Sequence, residues 1–344
     1  MPELPEVETV KRGLAKLLPG LKIARVDFDW PKSFPNSKAD IDKFLIGSMV
    51  ADIRRRAKVL MIDLSTEHSL IIHLKMTGQL VFRGKKSFGA GHPTDSLIGE
   101  LPDKSTRVTI DFSDGSKLFF NDQRKFGWMR LLPTIEIPNI DFMRKVGPEP
   151  LEAKFTAAEF IQCLERRKNS NIKAALLDQT VIAGVGNIYA DESLFGAGIH
   201  PASTISAIPE ARLTKLFTSL RSVLKFSIKK GGSTDRNYVD ALGRKGSYIE
   251  FANVFRKDGK PCPVCGRPIT KTKVAGRGTH VCVYDQKLYK KTKTVVLRQI
   301  LVRSRGSQAI RTKKYVEREP KVGKRAAELG ALPISRQTGV KGLE

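Results

Sequence analysis

Acidic residues are scarce in this 344-residue chain: 35 Asp and Glu stand against 61 Lys and Arg, which leaves a net charge of +26 and a pI near 10.0. No stretch approaches the ~20 apolar residues of a membrane span. The first residues also lack the apolar region of a signal peptide, so the expected location is the cytoplasm. The four cysteines do not make a disulfide framework. Three of them fall in the C-terminal third, within one short stretch, which points to metal in a reducing compartment. No strand followed by a full Gly-x-Gly-x-x-Gly occurs, and this excludes a dinucleotide-binding fold. No internal repeat is present.

What is present is a globular chain, 40% hydrophobic, whose charge exceeds what solubility requires. A polyanion is the implied partner, nucleic acid first and an anionic membrane surface second. The hydrophobic pattern predicts an amphipathic helix over 5–18, with Val7, Val10 and Leu14 facing a core. Strand-like alternation follows from Leu21 to about Leu132. Val108, Ile110 and Phe112 alternate, Asp114-Gly115 turns the chain, and Leu118 and Phe120 return, a hairpin signal. Residues 84–105 carry no periodicity and read as a mobile loop. After Pro148-Glu149-Pro150 the pattern becomes helical. Thr156 and Glu159 form a capping box, and helical segments are expected near 171–178, 187–197 and 209–229, the last ended by Gly231-Gly232. Cys163 reads as a buried structural thiol. From Phe255 to Gln286 the chain is a cysteine-bearing hairpin. A strand or helix is expected over 297–302, and weak order over much of 304–344.

Chemistry concentrates in a few places. With Met1 removed, Pro2 becomes a secondary amine beside Glu3 and Glu6. An α-amino group titrates near ~7.7–8.0 against ~10.4 for lysine, so far more of it is unprotonated at neutral pH. Its attack on an aldehyde-like carbon gives an iminium, an electron sink for elimination. The plainer reading is a helix entry, with Pro5 in the first turn and acids at the positive end. Cys262-Pro-Val-Cys265 is a metal knuckle, and Cys282 follows at ribbon spacing. The fourth ligand is open between Asp285 and His280. Lys271, Lys273 and Arg277, with Gly276 and Gly278, make a basic tip suited to a phosphate. Ala183-Gly-Val-Gly-Asn187 reads as a tight turn at a helix N-terminus, with Asn187 ready to hold a phosphate. Arg54-Arg-Arg-Ala-Lys58 and His73-Leu-Lys-Met76 lie on neighbouring strand-like segments. Asp122-Gln-Arg124-Lys-Phe126-Gly sets an aromatic beside two cations, a mix suited to DNA backbone contact and insertion into the base stack.

In combination these motifs resemble one family, the bacterial formamidopyrimidine-DNA glycosylases of base-excision repair. PELPEVE, RRAK, HLKMTG, DQRKFG, GPEPL, AGVGNIYADESLFGAGIHP and the cysteine hairpin occur in family order from Pro2 to about Lys287. The resemblance implies an α+β chain. Its expected parts are a β-sandwich catalytic domain over 1–133, a helix–two-turn–helix domain over 134–250, and a zinc-finger-like hairpin over 251–290. A basic, partly disordered extension over 291–344 completes it.

The resemblance also implies roles. Pro2 is the nucleophile and Glu3 the general acid/base. Glu6 is a companion in the pocket, and Lys58 acts near the lesion. Lys173, Asn187 and Arg277 hold phosphates, while Met76, Arg124 and Phe126 form the wedge that fills the gap left by a flipped base. His73 joins the DNA-contacting set. One structural zinc is expected on Cys262, Cys265, Cys282 and Asp285, although Asp285 stands where the family usually has a cysteine. The expected partner is double-stranded DNA with oxidised bases, bound by a nucleoid-associated monomer. The segment from Gly231 through Tyr248 matches the capping loop of the purine-type enzymes. Rival readings are the sister type for oxidised pyrimidines and a non-catalytic DNA-binding protein.

Overall fold

Helix α1 spans Leu4–Leu14 and owes its position to its ends. Pro5 sits in the first turn, Glu6 adds negative charge there, and Lys11 and Arg12 lie in the last turn. The Glu3 N–H donates to Glu6 Oε2 at 2.7 Å. Val7, Val10 and Leu14 are buried, as the pattern requires. The helix stops four residues short of the expected Leu18. The chain turns there, with Leu18 N–H bonded to the Leu14 carbonyl at 2.9 Å, and Leu18 stays fully buried without a further helical turn.

The computed structural model describes residues 2–92, 94–233, 248–291, 299–304 and 307–312. Residues 1–291 form one compact unit and 292–344 a second. In the first unit two antiparallel sheets make a sandwich. One is built from β2 (Val50–Arg56), β3 (Val59–Leu64), β4 (His68–His73) and β9 (Trp128–Pro133), in the order β2-β3-β4-β9. The other has the order β1-β7-β8-β5-β6. It comprises β1 (Ile23–Phe28), β5 (Gly78–Arg83), β6 (Phe88–Gly91), β7 (Thr106–Phe112) and β8 (Lys117–Asp122). One core joins α1 to Leu60, Ile62 and Ile72 of the first sheet and to Leu80, Ile110 and Phe120 of the second. Replacing Leu14 by Ala there costs about 2–5 kcal/mol.

Residues 84–105 are not the featureless loop their composition suggested. β6 pairs with β5, and the Phe88 ring fills the space over Gly13, where a Cβ would lie 2.1 Å from it. Ser96 and Ser105 both bond the Asp103 carboxylate, at 2.5 and 2.7 Å. Four residues are too few to show a period, which is why the strand was not readable.

The helical half has its own core, in which Phe160, Leu164, Leu176, Tyr189, Leu216 and Leu220 meet. Its helices are α2 (Ala157–Glu165), α3 (Ile172–Leu177), α4 (Asn187–Ala197) and α5 (Glu210–Lys229). Thr156 and Glu159 form the expected capping box, and Cys163 is buried. Gly231 and Gly232 follow α5 at φ +78° and +91°, a left-handed exit that glycine allows. The cysteine hairpin pairs β10 (Thr270–Val274) with β11 (Arg277–Val281) around a two-residue turn at Ala275-Gly276, both with positive φ. In the second unit, β12 (Gln299–Ser304) pairs with β13 (Ser307–Thr312). β13 falls within the stretch 304–344, over much of which weak order is expected. Residues 313–344 and the capping segment 234–247 lie outside the described residues.

Candidate active site and metal hairpin

The N-terminal segment docks on the turn before α4. Leu4 N–H donates to the Gly184 carbonyl at 3.0 Å. Gly184 has φ +77°, and a Cβ on it would lie 2.6 Å from the Leu4 side chain. A Cβ on Gly186 would lie 2.2 Å from the Glu3 carboxyl carbon. The two glycines therefore exist for the close approach of Glu3 and Leu4, and the N-terminus of α4 receives a carboxylate of this chain: Ile188 N–H donates to Glu3 Oε1 at 3.2 Å.

Pro2 is buried, and Glu3 is only 4% exposed. Burial pushes the Glu3 carboxyl up to about 7, with Glu6 adding to the rise and Lys58 and the Ile188 N–H opposing it. Its Oε2 is buried with no hydrogen-bond partner among the described residues. An acid that gains and loses its proton near neutrality, with one oxygen unengaged, suits general acid/base work. Glu6, by contrast, is fully engaged. Oε2 accepts the Glu3 N–H, while Oε1 accepts the Tyr189 hydroxyl and the Ser233 N–H, the latter at 2.6 Å. It fixes the segment that carries Pro2 and Glu3.

Lys58 follows Ala57, a turn residue at φ +52° between β2 and β3. Its Nζ donates to the Val185 carbonyl at 2.9 Å. Burial pulls its amine down, against the pull of Glu3 and Glu6, and Arg277 lowers it further. The turn is held by Glu149 of the GPEPL segment. That carboxylate takes both Arg55 NH groups at 3.0 Å and also accepts the Ala57 N–H, while Glu8 holds Arg55 Nε at 2.9 Å. Glu149 went unread as a functional residue, although its place between two prolines was a signal.

Of the residues expected to hold phosphates, Asn187 donates from Nδ2 to the Gly278 carbonyl at 3.0 Å, and its buried Oδ1 has no partner among the described residues. Arg277 is exposed at the first position of β11. Lys173 is placed differently from the expectation. It is 0% exposed, paired with Asp191 at 2.6 Å, and bonded to Thr279 Oγ1 at 2.7 Å and the Gly278 carbonyl at 3.1 Å. Burial lowers its amine while Asp191 opposes the shift. Lys173 holds the metal hairpin onto α3 and α4, and no exposed ammonium remains for a phosphate.

The residues expected to form the wedge lie on two neighbouring loops. Met76 is half-buried in the turn between β4 and β5, and Phe126 is 53% exposed with the Arg124 guanidinium 4.8 Å from its ring centroid. His73 is not a surface cation. It is buried, its Nδ1 accepts the Lys75 N–H at 3.0 Å, and burial, Lys75 and Lys58 push it down to about 3.

In the hairpin, one ligand atom each from Cys262, Cys265, Cys282 and Asp285 lies within 4.8 Å of all the others. Cys265 and Cys282 sulfurs are 3.6 Å apart, near the ~3.8 Å that two ~2.3 Å bonds at a tetrahedral angle give. Three thiols and a carboxyl are a donor set that fits one structural zinc. The alternative ligand, His280, is turned away. Its ring faces Asp258 at 3.3 Å and Asp191 at 3.7 Å.

Residues 1–129 match the formamidopyrimidine-DNA glycosylase N-terminal domain, 146–238 the H2TH domain of the same family, and 259–283 the zinc finger found in FPG and IleRS. Sandwich, helix–two-turn–helix half and zinc hairpin thus define a class of DNA-repair proteins. The formamidopyrimidine-DNA glycosylase of Pelotomaculum thermopropionicum is 39% identical over 289 residues, which cover 84% of this chain and 100% of that protein. The Chloroflexus aurantiacus enzyme is 40% identical over 283 residues, covering 82% and 96%. A solved complex of Lactococcus lactis Fpg with DNA containing an abasic site superposes with TM-score 0.73 at 35% identity, covering 83% of this chain and 99% of that one. The chain belongs to the formamidopyrimidine-DNA glycosylase family.

Proposed function

We propose that this protein is a bifunctional DNA glycosylase and abasic-site lyase that removes oxidised purines, 8-oxoguanine and formamidopyrimidines, from duplex DNA. The observation that carries the reading is the buried Glu3, poised to titrate near 7 beside Lys58 in the segment that begins with Pro2. Once Met1 is removed, the Pro2 amine attacks C1′ of the flipped nucleotide and the damaged base leaves with a proton. The product is an iminium on the opened sugar. Loss of a C2′ proton expels the 3′ phosphate, and a second elimination expels the 5′ phosphate. Glu3 gives and takes protons in these steps, and Lys58 supplies a cation near the sugar.

In this reading Asn187 and Arg277 grip the backbone on the hairpin side, and Met76, Arg124 and Phe126 occupy the space left by the base. Cys262, Cys265, Cys282 and Asp285 would hold the zinc, whose chemistry is structural: it closes the hairpin that presents Arg277. The partner is double-stranded DNA and the working form a monomer in the cytoplasm. Among the described residues no helix is long and apolar enough to cross a membrane.

Borohydride trapping tests the core of this reading. Wild type should form a covalent adduct with 8-oxoguanine duplex, and Pro2→Gly should form much less. Equal trapping by both, or none by either, refutes the mechanism. A second reading is kept by one solved relative, Lactococcus lactis Fpg bound to DNA containing an oxidised pyrimidine. Side-by-side cleavage of 8-oxoguanine and thymine-glycol duplexes decides between substrate classes.

A further inference from the structure

Asp122 ends β8 and is 0% exposed. Its carboxylate spends every bond on the backbone and turn that carry the wedge. Oδ2 accepts the N–H of Phe126 at 2.8 Å and of Gly127 at 2.6 Å. Oδ1 accepts the N–H of Arg124 at 3.2 Å and the hydroxyl of Thr77. The Thr77 oxygen in turn accepts the Arg124 N–H at 3.1 Å. Thr77 directly follows Met76, and β5 pairs Gly78 with Asp122, so turn and loop leave the sheet side by side. Arg107 Nε bonds the Asp122 carbonyl at 3.1 Å from behind. Lys125 is held at φ +56°, a backbone state that surrounding bonds must enforce. Gly127 has no room for a side chain: a Cβ would lie 2.6 Å from the Phe120 ring and 3.1 Å from Asp122 Oδ2.

A buried carboxylate is costly unless hydrogen bonds satisfy it. This one is satisfied by a loop whose outer residue, Phe126, gains little from its own burial. We propose that Asp122 is the positioning residue of the wedge. It locks the Met76 turn and the Arg124–Phe126 loop into one preformed unit, so that ordering is not left to the moment of base extrusion. The inference rests on the glycosylase reading above.

Asp122→Asn keeps the shape but turns an amide NH2 group toward N–H donors. Single-turnover cleavage is compared on two substrates: 8-oxoguanine paired with cytosine, and an abasic site in an unpaired bulge, where no stacked base must leave. The paired rate should fall about ten-fold or more relative to the bulge rate. The fluorescence rise of 2-aminopurine beside the lesion, which reports unstacking, should shrink with it. Thr77→Val cuts only the Met76 link and should show a smaller loss of the same kind. It also keeps the test open if Asp122→Asn does not fold. If the variants cut both substrates in the wild-type ratio, or unstack 2-aminopurine normally, Asp122 only maintains the fold and the proposal is overturned. A wild type that forms no borohydride adduct would instead overturn the glycosylase reading.

Discussion

Replacing Glu3 by Gln should make the protein more stable and less active, and the gain should depend on pH. The Glu3 carboxyl titrates at about 7 in the folded chain against an ordinary 4.5. Charging it therefore costs more in the folded state than in the unfolded one, by roughly 3 kcal/mol at ~1.4 kcal/mol per pH unit. Because the folded value is the higher one, the group's contribution to stability is fully present below about pH 4.5. It is lost as pH rises through about 7. Gln resembles the protonated acid, still accepts the Ile188 N–H, and does not titrate. Wild type and Glu3→Gln should thus be about equally stable near pH 4.5. The variant should pull ahead between pH 5 and 7 and lead by roughly 3 kcal/mol at pH 8. Urea unfolding of both proteins at each pH gives the difference, in which groups that do not interact with Glu3 cancel. Strand cleavage by Glu3→Gln should be lost over the same range. Two stability curves that run parallel from pH 4 to 8 would refute the claim that burial holds Glu3 near neutrality.

Lys173→Met leaves Asp191 buried without its cation and should cost about 3–5 kcal/mol of stability. The slope of DNA affinity against salt should stay at the wild-type value. A slope reduced by about one would show a phosphate contact instead. Stripping zinc with a chelator should open the cysteine hairpin, remove Arg277 from the DNA side and weaken binding to lesion and undamaged duplex alike. Added zinc should restore both binding and hairpin circular dichroism, and unchanged binding by metal-free protein would count against the structural role.

Local signals carried much of the fold. The capping box at Thr156, the Asp114-Gly115 turn and the apolar stripe of α5 each depend on residues a few positions apart, and each stands where the pattern put it. The candidate site was legible as a set of motifs but not as a set of directions. Lys173 looks like any basic helix residue until Thr279, 106 positions away, is folded against it. His280 and Asp285 both have plausible spacing to Cys282, and only the hairpin register turns His280 toward Asp191. The Gly-x-Gly at 184–186 read as a turn for a phosphate. Its reason, room for Glu3, lies 185 residues from the Ile188 amide that carboxylate meets. Asp122 and Glu149 were hidden because a charged residue in a basic chain reads as a surface group until its partners are known: loop N–H groups for Asp122, and the Arg55 guanidinium with the Ala57 N–H for Glu149.

That long reach between Glu3 and Ile188 also sets a clock during synthesis. The N-terminal residues leave the ribosome first, but the turn that buries them is made some 185 residues later. At ~5–20 residues per second this leaves about 10–40 s in which the leading segment has no docking partner. Under the proposed mechanism, the removal of Met1 from Pro2 falls in that interval, before Gly184 and Gly186 close over Glu3. If Pro2 is the nucleophile as proposed, a change that slowed methionine removal past that interval would yield a folded protein whose amine stays capped, a defect that an intact mass would reveal.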